Sequence, residues 1–496
     1  MNAESGQNPY TAVETSLDPA DWEDFRALAH NAVDDLTDYL QNVATRPVWQ
    51  PLPAASSAHF KEPVPRAGHG AAGVYEQIRE HILPYPTGNI HPRFWSWVGG
   101  TGTANQLIAD MVISTMNSCS LGFDEAASSH VELQVINWLK ELLDYPTTAS
   151  GLLVSGGSMA NLVGLAVARN ARANYDVRTA GIDIQEHPRL IYYASSEAHS
   201  SIAKAIELLG LGKESLRTLP VLDDYTIDLN ALERAIHDDQ AAGHRPACII
   251  GNAGTVNTGA TDPLPELADI AEQENLWLHV DGAFGAFIRM SPAYASMAEG
   301  LERADSVAFD LHKWLYVQYN CGGVLIRDEK LHRNTFSSLP TYLRKLDRGL
   351  AAGPLNFSEF GVQLSRSFVA LRAWMALKSE GADRYAQQIS QNVLQARYLE
   401  ALINRHSELQ LLAPTAMNIV NFRYFDATYD NDKLNALNQE ILMRLHEDGI
   451  AAPSSTVLRE RFSLRVAICN HRSTRADFEA LVNAVLQFGR ERRRCT

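Results

Sequence analysis

Cysteine is scarce in this chain: five residues among 496, at Cys119, Cys248, Cys321, Cys469 and Cys495, with no C-x-x-C pair. That spacing offers no disulfide framework and predicts buried or free thiols. Long apolar runs are also missing. No stretch approaches the roughly 18 uninterrupted apolar residues of a membrane span, and Met1 to Tyr10 lacks the basic-then-apolar pattern of a secretory signal. A soluble, cytoplasmic protein without a membrane partner is expected. Positive charge is in deficit: 43 Lys and Arg stand against 58 Asp and Glu, for a net charge of −15. Nucleic acids and anionic membranes are bound through excess Lys and Arg, so both are excluded as expected partners. The short basic run from Arg490 to Arg494 reads as a solvated tail.

What the chain does contain is apolar material, 46% of its residues, enough for one large α/β domain with smaller additions. Asp18-Pro19 reads as an N-cap and first helical residue, with Trp22, Phe25, Ala29, Leu36 and Leu40 recurring behind it at helical spacing. From Trp49 to Gly73, Pro, Ala, Ser and Gly predict an extended connector. Beyond residue 105, short apolar runs at 190–193, 247–250, 276–280 and 324–326 alternate with helical patterns such as 159–173. This alternation predicts a mostly parallel sheet flanked by helices, with ligands bound beyond the carboxyl ends of its strands. After residue 372 the pattern turns to helices with a few strands, among them 462–468, and a last helix near 477–488. The expected division is a helical segment at 1–105, a large α/β domain at 106–372 and a small α+β domain at 373–496.

Three motifs fall where such a sheet places its ligands. Ser155-Gly-Gly-Ser-Met-Ala-Asn161 lies between an apolar run and a helix. Its glycines let backbone approach an anion at the helix N-terminus, and Ser158 adds a hydroxyl, although a plain helix cap uses the same residues. His279-Val-Asp281-Gly-Ala283 ends a strand. Asp281 there can keep a pyridinium nitrogen protonated; a pair of metal ligands or a buried structural carboxylate are the other readings. Asp310-Leu-His-Lys313-Trp314 ends a later strand. Lys313, partly desolvated beside a histidine, can become a Schiff-base amine, whereas most lysines are surface charges. A phosphate loop, a strand-end Asp and a later strand-end Lys follow the order that a pyridoxal 5'-phosphate (PLP) site needs.

With these motifs the chain resembles the group II PLP-dependent decarboxylases, of the aspartate aminotransferase fold (PLP fold type I). Further matches are His91-Pro-Arg-Phe94, Ala194-Ser-Ser-Glu-Ala-His199, Pro340-Thr-Tyr-Leu343 and Leu464-Arg-Val-Ala-Ile-Cys469. The resemblance implies PLP as cofactor, no metal, and decarboxylation of an L-amino acid by a homodimer with shared active sites, its N-terminal segment wrapping the partner. It makes Lys313 the cofactor-bearing lysine and Asp281 the partner of the pyridine nitrogen. His199 is implied to stack on one ring face and Ala283 to pack on the other. Gly156, Gly157, Ser158 and His312 are implied phosphate contacts, and Thr255 a neighbour of the cofactor.

Tyr342 matches a loop tyrosine that protonates the carbanion, where aldehyde synthases carry phenylalanine. The implied substrate pocket comprises Trp97, Val98, Gly99, Gly100 and Ser365, with Leu121 and Phe123 from the neighbouring subunit. Such walls favour an aromatic amino acid of the Phe/Tyr type over an acidic one, because an acidic side chain needs an Arg or Lys clamp. The alternatives are an aldehyde synthase, a decarboxylase of histidine or another non-aromatic amino acid, and a PLP-binding protein without catalysis. Two departures stand out. Gly99-Gly100 replaces a Pro-Thr pair of aromatic-amino-acid decarboxylases. Asp310 replaces an Asn that contacts phosphate in some relatives, and as an anion it is expected to bind backbone N–H groups or a cation instead.

Overall fold

The computed structural model describes residues 15–119, 126–338, 346–349, 352–353 and 356–495. Twelve strands are present among them: β1 Phe94–Trp95, β2 Ser150–Val154, β3 Leu190–Ser195, β4 Leu216–Leu219, β5 Arg245–Asn252, β6 Trp277–Asp281, β7 Ser306–Asp310, β8 Gly322–Ile326, β9 Leu409–Leu411, β10 Ile419–Tyr424, β11 Ala452–Leu458 and β12 Arg461–Ala467. They form a seven-stranded sheet in the order β2-β8-β7-β6-β5-β3-β4 and a five-stranded sheet in the order β1-β11-β12-β10-β9.

In the larger sheet, neighbours from β7 through β6, β5 and β3 to β4 pair in parallel, and β8 alone runs against its two neighbours. Strands β2, β3, β6, β7 and β8 are buried along their whole length. That burial accounts for their unbroken apolar runs, since helices cover both faces of such a sheet. The register pairs Asp281 with Asn252 across β5 and β6, so polar residues collect at the carboxyl ends. The smaller sheet has its own core, in which Trp95 stacks on Phe478 with ring centroids 5.0 Å apart.

Strand β1 joins this smaller sheet by parallel pairing with β11. Trp95 Nε1 donates to Ser473 Oγ at 3.0 Å, and Ser96 Oγ to the Ala452 carbonyl at 3.0 Å. Buried Arg465, on β12, donates to the backbone carbonyls of Trp97, Val256 and Asn257, and burial pulls its guanidinium down to about 10. These ties fix the segment that follows β1 over the larger sheet's carboxyl end.

Contacts divide the chain into two compact units, 1–45 with 51–86, and 46–50 with 87–496. In the first unit the opening helix runs Trp22–Gln41 and begins three residues later than the sequence suggests. Asp21 is the cap rather than Asp18, because its carboxylate accepts the backbone N–H groups of Glu23 and Asp24 at 2.8 and 3.1 Å. The expected connector at 49–73 also holds structure: a short helix at Ala54–His59 and the start of another at Gly70–His81. Runs of alanine there favour helix despite the prolines around them.

Candidate functional site

A cavity of about 430 Å³ opens at the carboxyl ends of β2, β5, β6 and β7. One end is the N-terminus of the helix Gly157–Arg172, which no side chain caps. Its first-turn N–H groups and positive dipole end face the cavity. A β-carbon at Gly156 would stand 3.2 Å from His312 Cε1, and one at Gly157 would stand 2.8 Å from Ala283 Cβ and 2.9 Å from Asp310 Oδ2. Glycine lets the backbone at this helix end lie against His312, Ala283 and Asp310, where a side chain would collide with them. Ser155 and Ser158 bring their hydroxyls to the same end.

Asp281, the last residue of β6, is the floor. Its Oδ1 accepts from Ala283 N at 3.1 Å and its Oδ2 from Asn161 Nδ2 at 2.9 Å. The Asn161 carbonyl oxygen accepts from His279 Nε2 at 2.9 Å, and His279 Nδ1 accepts from Ser306 Oγ at 2.8 Å. Trp277 Nε1 donates to that hydroxyl at 2.7 Å and closes the chain. Burial pulls His279 down to about 4, against the opposing charge of Asp281, so the ring is neutral. With both ring nitrogens engaged, His279 has none left for a metal. Among the described residues no group of three or more His, Cys, Asp or Glu is placed to hold one.

His199 caps the helix Ser200–Leu208: its Nδ1 accepts from the Ser201 hydroxyl at 2.8 Å and the Ser201 N–H at 3.2 Å. The ring proton therefore resides on Nε2. Burial lowers the imidazole's affinity for a second proton, with Asp281 opposing and Lys313 reinforcing. Asn161 Nδ2 also reaches Ser201 Oγ at 2.9 Å, which couples His199 and Asp281 through one amide.

Lys313 follows β7 by three residues and is 23% exposed at the side chain. Its Nζ lies 2.9 Å from Asp310 Oδ2. Burial works against its charge, but the Asp310 carboxylate outweighs that penalty and holds the ammonium above its usual range. Asp310 thus has the cation expected of it. His312 Nδ1 lies 2.9 Å from the Cys321 carbonyl oxygen and 3.2 Å from the Cys321 backbone nitrogen, and its ring centroid is 4.4 Å from that of Tyr319.

The remaining residues singled out from the sequence are scattered. Val98 lines the cavity. Trp97 is 63% exposed and takes a left-handed backbone conformation at φ 54°. Gly99 packs on Phe94. Gly100 lies so close to the loop bearing the lysine that a β-carbon would stand 1.7 Å from the His312 carbonyl oxygen, and its N–H donates to Tyr319 Oη at 3.0 Å. No threonine fits at this position; the Tyr319 hydroxyl is the polar group there instead. Thr255 is buried behind the wall formed by Gly254 and Val256, with its hydroxyl 3.0 Å from that of Thr258. Ser365 lines an adjoining cavity of about 400 Å³ that shares Ser155, Tyr319 and Asn320 with the first. Leu121, Phe123 and Tyr342 lie outside the described residues.

Three contributors escaped the sequence reading: Asn161, Ser201 and Tyr319. Asn161 closes the Ser-Gly-Gly-Ser motif, four residues into a helix, where an inward amide is a usable signal. Ser201 and Tyr319 carry none, because their roles come from tertiary contacts.

The chain belongs to the pyridoxal-dependent decarboxylase family, whose conserved domain matches residues 53–425. It is 33% identical to the aromatic-L-amino-acid decarboxylase of Bacillus atrophaeus over 455 residues, covering 91% of this chain and 92% of that one. It is 28% identical to the histidine decarboxylase of Homo sapiens over 474 residues, covering 92% of this chain and 69% of that one. Among solved structures it matches that of Oryza sativa TDC with PLP and tryptamine at a TM-score of 0.88 and 26% identity, covering 96% of this chain and 99% of the other. The protein is a PLP-dependent amino-acid decarboxylase of fold type I. Its cavity suits the cofactor: an uncapped helix N-terminus for a phosphate, a propped carboxylate for a ring nitrogen and an amine between them.

Proposed function

We propose that the enzyme decarboxylates an aromatic L-amino acid of the phenylalanine or tyrosine type, giving the amine and carbon dioxide. The observation that carries this reading is the wall of the cavity. Among the described residues lining it, Lys313 is the only Lys or Arg, while Asp281 and Asp310 both face inward and Val98, Phe284 and Tyr319 add apolar and aromatic surface. Both carboxylates belong to the cofactor's end; a substrate with an acidic side chain would find no free cationic clamp among the described residues of this wall, since Arg366 and Arg372 of the adjoining cavity are already paired with Glu132 and Asp110.

When bound, PLP supplies an electron sink for the pair released as the carboxylate leaves. Lys313 provides the amine that carries the cofactor. Gly156, Gly157, Ser158 and His312 hold its phosphate, and Asp281 keeps a proton on the pyridine nitrogen. Ala283 and His199 would hold the ring between them, and the Nε2–H of His199 would be the donor available to the substrate carboxylate. Thr255 neighbours the cofactor from behind the wall of Gly254 and Val256, and Tyr342 returns a proton to Cα. Trp97, Val98, Gly99, Gly100 and Ser365, with Leu121 and Phe123 of a second copy, enclose the side chain.

The assembly is a homodimer. Its support is the helix Gln106–Met116, where Ile108, Met111, Val112 and Met116 are 40–55% exposed along one apolar helix. In this reading residues 1–105 wrap the partner, 106–372 carry the cofactor and 373–496 form the small domain. Its free cysteines suit the reducing cytoplasm. Incubation with PLP and each of the twenty amino acids in turn, with products identified by mass, tests the substrate. Amine from phenylalanine or tyrosine is expected; turnover of acidic amino acids alone would overturn the reading.

A further inference from the structure

One charged group in the cavity has no part in this scheme. Asp310 ends β7 with only 2% of its surface exposed, and its carboxylate lies against the glycines of the anion cradle. Its Oδ2 lies 2.9 Å from the position a β-carbon of Gly157 would take, and its Oδ1 lies 3.5 Å from that of Gly156 and 2.5 Å from that of Gly322. Lys313 satisfies Oδ2, but Oδ1 is buried without a hydrogen-bond partner, its nearest cationic candidate being His312 Nδ1 at 3.7 Å. That nitrogen is already engaged by the Cys321 backbone. A buried carboxylate oxygen with an unmet acceptor beside an uncapped helix N-terminus occupies the electrostatic place of an anion.

We infer that Asp310 is a positioning residue that holds Lys313 in the cavity and competes with the cofactor's phosphate for the field of the Gly157–Arg172 helix. The cradle therefore grips a phosphate less tightly than its glycines, serines and helix dipole alone would. A neutral residue of the same shape would relieve the repulsion between two anions in a partly desolvated pocket. The consequence is an exchangeable cofactor, so that the loaded fraction of the enzyme follows PLP supply. This inference rests on the assignment of the cradle to the phosphate.

The test separates the two. The full-length chain, freed of cofactor, is titrated with pyridoxine 5'-phosphate, which has no aldehyde for Lys313, and with pyridoxine, which has no phosphate. The ratio of the two Kd values isolates the phosphate's contribution. In Asp310→Asn that ratio should grow about tenfold over wild type, through tighter binding of the phosphorylated probe and little change for pyridoxine. Should Asp310→Asn fail to fold, Asp310→Ser carries the same test with a smaller neutral side chain. An unchanged or smaller ratio in a folded variant overturns the role of Asp310. Equal Kd values for both probes in wild type and variant alike would instead overturn the phosphate assignment itself, and the inference with it.

Discussion

The two ends of the cavity are built by different means. At the cofactor end each side chain is held by another: Asp281 by Asn161 and Ala283, Asn161 by His279, His279 by Ser306, and Lys313 by Asp310. At the end proposed for the substrate the wall is a strand-flanking segment, a backbone approach at Gly100 and a tyrosine hydroxyl, with a second cavity opening beside it. A hydrogen-bonded frame keeps reacting groups in register, while a wall of loosely related segments can change with the side chain it must admit. Chemistry and specificity are therefore separable in this fold, and substitutions at the two ends should differ in kind as well as in size.

The largest effect is expected at the cofactor end. Lys313→Ala should lower carbon dioxide release by about 10⁴-fold or more, since no other described Lys or Arg lines the cavity. Ultraviolet-visible spectra and activity measured on the same preparation check this, and near-normal turnover would remove Lys313 from its role. Tyr342→Phe should come next. Loss of its hydroxyl should slow protonation by about 10²–10⁴-fold and let oxygen compete, shifting product from amine to aldehyde. Product identity under air, with oxygen uptake and hydrogen peroxide followed together, decides it; amine at the wild-type rate without oxygen uptake would strip Tyr342 of that function.

A third effect is on stability. His279 is held at about 4 by burial, below the 6.5 of an exposed histidine, so the folded protein binds fewer protons than the unfolded chain between those values. Its contribution is complete above pH 6.5 and is lost as pH falls toward 4, by about 3 kcal/mol across that window. His332 and His471, pulled down to about 3 and about 4, act in the same direction. The melting temperature should drop as pH is lowered from 7 to 4.5, with a shallower slope in His279→Gln. Equal slopes would mean that the ring is not a buried neutral support. The smallest effect belongs to the substrate end. Ser365→Gly should improve kcat/KM for tryptophan relative to phenylalanine by less than about tenfold, because Ser365 faces the adjoining cavity rather than the main one. Competition assays with the two amino acids measure it, and an unchanged ratio would exclude Ser365 from selectivity.

The cofactor end was legible in the sequence because its groups sit in short local motifs at strand ends, where fold topology alone predicts a ligand. Gly156, Asp281 and Lys313 could be placed from order and spacing. Their supports could not, with Asn161 meeting His279 across 118 residues and Tyr319 meeting Gly100 across 219. For Asp310 the sequence left backbone N–H groups and a cation both open, because an anion cannot face a phosphate without one or the other, and only the geometry chose Lys313. Thr255 and Ser365 show the opposite limit: a matching position does not say which way a hydroxyl turns. The cap of the first helix was misplaced by three residues because Asp18 and Asp21 are chemically equivalent, and only the backbone chooses between them.

The Gly157–Arg172 helix does three jobs along one side: Gly157 opens the anion site, Asn161 props the floor, and Gly164 admits the His279 ring, where a β-carbon would stand 2.7 Å from Cε1. Four residues of helix rise by about 6 Å, a length that hydrogen bonding along the helix makes nearly incompressible. The helix is thus a gauge. It sets the distance from the proposed place for a phosphate to Asn161, the amide that holds Asp281 at the end of β6. Sliding or tilting it would shift the anion end while Asp281 stayed with β6, so the length of molecule the site accepts depends on this helix keeping its hydrogen-bonded place against the strand.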